Sequence, residues 1–221
     1  DLRMRILKRL PFFTELPSKA VEDINQCFVE VGYQSGDRIY TAGDPAERLY
    51  VVAEGKVKIM QHGTGGRNVL LDILSTGEFF GNLTVLGATT YIDSAEAQAP
   101  ACVLSIRSDS FRQILDQHPG LALKALDIMA ARLNDANQRV LQLSSMPIEK
   151  RIAITLQKLA RKLGHQKEAM LLIDVPLSRD DLAEMTSTTP ETVSRVMSQL
   201  QSSGIIESGR QWVGIRDLKA L

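Results

Sequence analysis

Apolar residues change their spacing several times along this chain, and each change marks the edge of a predicted element. Residues 1–25 carry helical spacing, punctuated by Pro11 and Pro17. From about Cys27 to Arg107 the pattern becomes short alternating stretches, such as Leu49-Tyr-Val-Val-Ala and Val57-Lys-Ile-Met. Gly-containing turns separate them at 34–37, 42–45, 53–56, 62–66 and 75–78. Many short strands between regular turns predict a jelly roll or barrel. From about Ser108 to Ser145 the spacing is helical again, interrupted at His118-Pro119-Gly120.

The second of those helical pieces carries a narrow apolar seam. Ala122, Leu126, Met129, Leu133, Ala136, Val140 and Leu143 follow one another at steps of 4, 3, 4, 3, 4 and 3. That is a heptad repeat, the pattern of a two-stranded coiled coil, and it predicts a homodimer. Ser144-Ser145-Met146-Pro147 breaks the helix and reads as a hinge. A further helix is predicted from Ile148 to Leu163, followed by a polar surface loop at Gly164–Glu168.

The most specific pattern lies near the C-terminus. Residues 177–200 read as two short helices joined by a tight polar turn. Ser178 with Asp181 forms a near capping box for the first, and Leu182, Ala183 and Met185 supply its inner face. Thr189 is the predicted N-cap of the second, Pro190 suits its first position, and Val193, Val196, Met197 and Leu200 form the buried stripe. Glu191, Ser194 and Arg195 then share the opposite face. A carboxylate accepts from cytosine N4 and a guanidinium grips guanine O6 and N7, so this helix-turn-helix is predicted to read DNA bases, with Thr189 and Thr192 beside the readers. Ile205–Ile215 alternates around a Gly-containing turn and reads as the hairpin of a winged helix. Arg210 at its tip and Arg179 at the start of the first helix are candidate phosphate contacts.

Composition narrows the class. The 221 residues hold 26 basic and 26 acidic side chains, so strong non-specific DNA affinity is not expected. Divided at Pro147, the halves carry 15 basic with 17 acidic and 11 basic with 9 acidic residues, or −2 and +2. Specificity must therefore rest on local contacts and on dimerisation. Cys27 and Cys102 offer no disulfide framework or zinc spacing, and no metal site is predicted. With no transmembrane run and no signal peptide, a soluble cytoplasmic protein without a membrane partner is the expectation. The chain begins at Asp1 rather than Met, which leaves room for residues before it.

A β-domain, a long seam helix, a hinge and a winged helix, in that order, resemble the CRP/FNR family of bacterial transcription regulators. The Gly-Asp turns at Gly36-Asp37 and Gly43-Asp44, the segment Gly77-Glu-Phe-Phe-Gly81-Asn-Leu83, and Glu191-Thr-Val-Ser-Arg195 carry the resemblance. It implies an α+β chain: an N-terminal helix and β-roll (double-stranded β-helix or jelly roll) over 1–118, a dimerisation helix over 119–145, and a winged helix-turn-helix domain over 146–221. It implies an effector pocket at Gly81, Asn82, Leu83, Asp93, Ser94, Ala136 and Asn137. Members that bind cyclic nucleotides carry Gly-Glu-Leu and then Arg-Ser or Arg-Thr. Here Gly81-Asn82-Leu83 and Asp93-Ser94 stand instead, and a carboxylate repels the cyclic phosphate. Cyclic nucleotide binding is therefore not expected.

Oxygen-sensing members hold an iron–sulfur cluster on four cysteines, which two cannot replace; Cys102 is expected to be a small buried hydrophobe. Haem stays an alternative, with His62, His118 and His165 as candidate ligands, although each sits in a loop or at a helix end. Glu-x-x-Ser-Arg resembles the FNR and nitric-oxide-regulator branch, whose half-sites are TTGAT-like. The cyclic-AMP branch lacks that Ser, carries Arg where Pro190 stands, and often has Gly where this turn has Ser187. Partners implied are double-stranded DNA, a second copy of the chain, and RNA polymerase, touched by the Gly164–Glu168 loop in activators. The rival readings are a β-roll sensor acting through protein contacts without DNA, and a cupin-type enzyme, which would need clustered His and Glu that His62 alone does not supply. No enzymatic activity is expected.

Overall fold

The computed structural model describes residues 2–10, 12–63, 68–81, 89–209 and 211–221, with only the backbone of Leu2 and Arg9. Pro11, Asn82, Leu83, Arg210 and most of the 62–66 turn lie outside these. The chain forms two compact units, the first holding residues 1–62 and 71–134 and the second chiefly 135–221.

The first unit opens with α1 (Leu2–Arg9) and α2 (Ser18–Asn25). The strands are β1 (Phe28–Tyr33), β2 (Arg38–Tyr40), β3 (Arg48–Glu54), β4 (Val57–His62), β5 (Asn68–Leu74), β6 (Phe79–Phe80), β7 (Ser94–Ala97) and β8 (Ala101–Arg107). They build two four-stranded sheets, in the orders β1-β8-β3-β6 and β2-β7-β4-β5. After them come α3 (Ser108–Gln117) and α4 (Pro119–Ser145).

Three turns repeat one chemistry. Asp37, Asp44 and Glu78 each accept, through the side chain, from the backbone N–H three residues earlier, at 2.7, 2.8 and 2.8 Å. Their own N–H groups close the turns onto the carbonyls of Gln34, Thr41 and Ser75. Gly36, Gly43 and Gly77 hold the third position at φ near +90° in each, the geometry that a type II turn demands. The Gly-acid pairs are therefore turn-forming pairs.

Strands β3 and β8 divide their side chains between two cores, because alternate residues point to opposite faces. Leu49, Val51 and Ala53 join Leu104 and Ile106 in a core closed by Phe12, Phe13, Val21, Ile24 and Phe111 of the helical segments. Tyr50 and Val52 join Val103 inside the roll with Tyr40, Phe80 and Tyr91. Cys102 is half-buried rather than buried, a correction to the sequence expectation. It stands opposite Gly32, which has no side chain to cover it. Its thiol donates to Glu30 at 3.2 Å, and burial with that carboxylate pushes it up to about 12.

Helix α4 is about 40 Å long at 27 residues. Leu121 is its buried residue, whereas Leu126, Leu133, Val140 and Leu143 of the seam are 45–65 % exposed. Met129 departs from the expected seam. It is half-buried, because it adjoins Ile128 on the face turned to the roll. Pro147 disfavours helix at Met146, and the Ser144 and Ser145 hydroxyls donate back to carbonyls of the last turn.

The second unit adds α5 (Ile148–Leu163), β9 (His165–Lys167), β10 (Met170–Ile173), α6 (Arg179–Thr186), α7 (Pro190–Ser202), β11 (Ile206–Ser208) and β12 (Val213–Ile215). Its sheet runs β11-β12-β10-β9. The segment expected as a loop at Gly164–Glu168 is instead mostly strand. His165–Lys167 pairs with Met170–Leu172, although all three residues remain exposed. Ile152, Leu156, Ile173, Leu182, Val193 and Met197 form the core of the unit. No described helix is long and apolar enough to cross a membrane.

Two positive-φ positions give opposite expectations. Gly55 has φ +85°, and an added Cβ would lie 2.4 Å from the Pro100 carbonyl oxygen. Gly55→Ala should destabilise the chain by about 3 kcal/mol, since both backbone strain and a clash oppose it. Ser187 has φ +50° and carries a Cβ in a conformation that costs about 1–2 kcal/mol. Ser187→Gly should stabilise by roughly 0.5–1 kcal/mol after its larger unfolded-state entropy is counted. Urea unfolding of the two variants checks both signs.

Candidate nucleic-acid interface

Capping sets the position of each helix in the helix-turn-helix. Ser178 accepts from the Asp181 N–H at 2.9 Å, and Asp181 accepts from the Ser178 N–H at 2.8 Å, so the capping box of α6 is complete. Ser187 ends α6 in the left-handed conformation, where the resembling family often has Gly. Thr189 then caps α7, accepting from the Thr192 N–H at 3.3 Å, with Pro190 at the first helical position. The side chains of Thr189 and Thr192 also meet at 3.3 Å.

Val193, Val196 and Met197 are buried, and Leu200 is half-buried. This leaves Glu191, Ser194 and Arg195 together on the exposed face. A hydrogen bond from Thr189, with one from its own backbone, holds the Glu191 carboxyl below the usual range, so it is an ionised acceptor at neutral pH. Arg195 does not pair with Glu191 along the helix. It donates through Nη2 to Oε1 of Glu149 on α5, at 3.0 Å. Glu149 is itself held below the usual carboxyl range by its own backbone N–H and by Arg195. Sequence spacing gave no sign of Glu149, which lies outside the helix-turn-helix.

Arg179 is half-buried and donates to Ser208 of β11 at 3.3 Å, so part of its guanidinium is committed within the unit. Burial lowers its pKa from the usual guanidinium value. Strands β11 and β12 form the expected hairpin, pairing Ile206 with Ile215 and Ser208 with Val213. Its tip at Arg210 lies outside the described residues.

In the first unit a pocket of about 200 Å3 opens among Phe79, Phe80, Gly81, Asp93, Met129 and Arg132. Of the residues the resemblance assigned to an effector pocket, Gly81 and Asp93 line this one. Ser94 does not: it is buried and accepts from the Ala42 N–H at 2.9 Å, because the next residue of a strand points to the other face. Ala136 and Asn137 are exposed on α4, beyond Arg132. Arg132, which the sequence reading passed over, is the pocket's cation, and its guanidinium donates to the Phe79 carbonyl. The Asp93 carboxyl accepts from Tyr40 at 2.8 Å. Burial raises it, while the Tyr40 bond and Arg132 pull it back.

Inside the roll, Tyr40 stacks on Tyr91 at 3.9 Å and on Tyr50 at 5.4 Å, and Tyr50 stacks on Phe80 at 5.2 Å. His62 ends β4, His118 caps α3 and His165 lies in β9. Among the described residues no group of three or more His, Cys, Asp or Glu could hold a metal ion.

Two family models match this chain, the cyclic nucleotide-binding domain over residues 30–118 and the Crp-like helix-turn-helix domain over 150–221. A CRP-like cAMP-activated global transcriptional regulator of Mycobacterium tuberculosis is 26% identical over 98% of this chain and 96% of its own length. A cyclic AMP receptor protein of Thermus thermophilus is 29% identical over 97% of this chain and 96% of its own. The solved structure of FixK2 from Bradyrhizobium japonicum superposes with a TM-score of 0.79 at 26% identity, covering 87% of this chain and 94% of that one. The two domain models together span most of the chain, and with relatives and a solved structure matched along nearly its whole length this chain is a DNA-binding transcription regulator of the CRP/FNR type.

Proposed function

We propose that the chain acts as a homodimer that reads a palindromic site with TTGAT-like half-sites, and that its β-roll responds to an effector other than a cyclic nucleotide. The observation that carries the DNA reading is the placement of Glu191, Ser194 and Arg195 on the solvent face of a helix whose opposite stripe is buried. Arg195 supplies the guanine contact and Glu191 the cytosine contact, with Ser194 between them. Thr189, Thr192, Arg179 and Arg210 are assigned to the phosphates, which position the helix without specifying sequence.

Dimerisation is supported by Leu126, Leu133, Val140 and Leu143, which leave a row of large apolar side chains in water along α4. Monomers rarely tolerate such a stripe, and a second copy of the same helix covers it by heptad packing. The pair then presents two recognition helices to two half-sites about one DNA turn apart. An effector acts by binding one arrangement of the winged helices better than the other. The Gly164–Glu168 segment, with its exposed strand His165–Lys167, is the surface assigned to RNA polymerase.

Some relatives are named for activation by cyclic AMP, but the residues here do not fit that ligand. Asp93 puts a carboxyl where a cyclic phosphate needs a cation, and stacked Tyr40, Tyr50, Tyr91 and Phe80 fill the interior of the roll. Arg132 is the cation available at the pocket, and it faces Asp93 there.

Arg195→Ala should leave a folded dimer that has lost sequence preference, with about 1–3 kcal/mol of discrimination gone at each guanine read. Gel shift on sites selected from random DNA, together with sedimentation, measures both properties; retained preference for the same sites would refute the assignment. Leu133→Asp should give monomers with weak DNA affinity, and dimers seen by light scattering would reduce the α4 stripe to packing within one chain.

A further inference from the structure

A free arginine samples many rotamers and must surrender them when it meets a base edge. What holds Arg195 in place therefore bears on how sharply it reads. Helix spacing offers Glu191, four residues earlier, as the local partner. Thr189 bonds Glu191 instead, and Arg195 reaches Glu149, 46 residues away on the first turn of α5, at 3.0 Å. Both side chains of the pair stay about half exposed, at 55 % and 52 %. The contact uses one Nη2–H. A guanidinium has several more N–H donors in a rigid plane, and these remain for a guanine.

We propose that Glu149 is a positioning residue for DNA readout: it buttresses Arg195 in the rotamer that enters the major groove, and so sets discrimination between sequences more than overall affinity. This rests on the base-reading role of Arg195 proposed above. Non-specific affinity comes from phosphate contacts. Removing a carboxylate near the DNA leaves that affinity unchanged or raises it, while a loosened Arg195 grips its guanine less well.

The test uses the full chain as wild type, Glu149→Ala, Glu149→Gln, Arg195→Ala and the Glu149→Ala/Arg195→Ala double variant. Fluorescence anisotropy measures binding to a site selected with the wild type, to the same site with its guanines replaced, and to an unrelated duplex. Glu149→Ala should lower the ratio of specific to non-specific affinity by about tenfold over the two half-sites, with non-specific binding no weaker. Glu149→Gln should lose less, because its amide oxygen still accepts from Arg195 and its length is kept. It also carries the test should the alanine variant fail to fold.

In the Arg195→Ala background, removing Glu149 should change the ratio no further. Three results would overturn the proposal. One is an unchanged ratio in both Glu149 variants. Another is tighter specific binding, which would make Glu149 a competitor for Arg195. The third is an equal loss with and without Arg195, which would make it a structural residue of α5. If Arg195→Ala itself keeps the wild-type ratio, the base-reading assignment fails and the buttress falls with it; loss there with no effect of Glu149 sinks the buttress alone.

Discussion

The face that α7 turns to solvent depends on the burial of Val193, Val196 and Met197. Burying side chains of this size contributes roughly 1.5–3 kcal/mol each, whereas a surface ion pair contributes about 0–1 kcal/mol. The core therefore decides the rotation of the helix, and the surface contacts follow it. Once that stripe is inside, residues at i, i+3 and i+4 on the other side must face outward. The capping box of α6 and the Thr189 N-cap of α7 then fix where the two helices start, so the triplet sits in the N-terminal half of α7. The outward placement of the triplet is thus a by-product of packing, and Thr189 and Glu149 add local bonds, one capping the helix and one holding Arg195.

The β-roll applies the same logic to a sheet. Strands β3 and β8 are buried on both faces, one against helices and the other inside the roll. Aromatic rings fill the inside, and their hydroxyls find partners within the protein: Tyr91 donates to the Arg48 carbonyl at 2.9 Å and Tyr40 donates to Asp93. A buried hydroxyl without a partner is costly, so these bonds secure the stack. Asp93 and Arg132 line the pocket and oppose one another in charge.

Much of this was legible in the sequence because it is local. Turn glycines followed by an acid, Ser178 with Asp181, Thr189 with Pro190, and Pro147 after two serines act within a few residues. Each marks an element boundary whatever the rest of the chain does. The alternation of Leu49 to Ala53 and the heptad from Leu126 to Leu143 are equally local periodicities, and they report which side chains share a face. Ser94 and Met129 show the limit of that approach: Ser94 stands one residue from the pocket residue Asp93 and turns to the other face, whereas Met129, expected in the seam, lines the pocket. His165–Lys167 shows another. Its polar residues read as loop, yet pairing with β10 makes it strand, since edge-strand formation depends on the neighbour more than on propensity.

The sequence by itself determined the order of elements, the caps that start them, the stripe that buries α7 and the triplet left facing outward, because these follow from spacing and short-range hydrogen bonds. Only the tertiary structure decided which distant groups meet: Glu149 with Arg195, Tyr40 with Asp93, Arg132 with the Phe79 carbonyl. Spacing carries no information about a partner 46 or 53 residues away. Such a pair exists because two packed elements bring their side chains within hydrogen-bond reach, and that placement belongs to the fold.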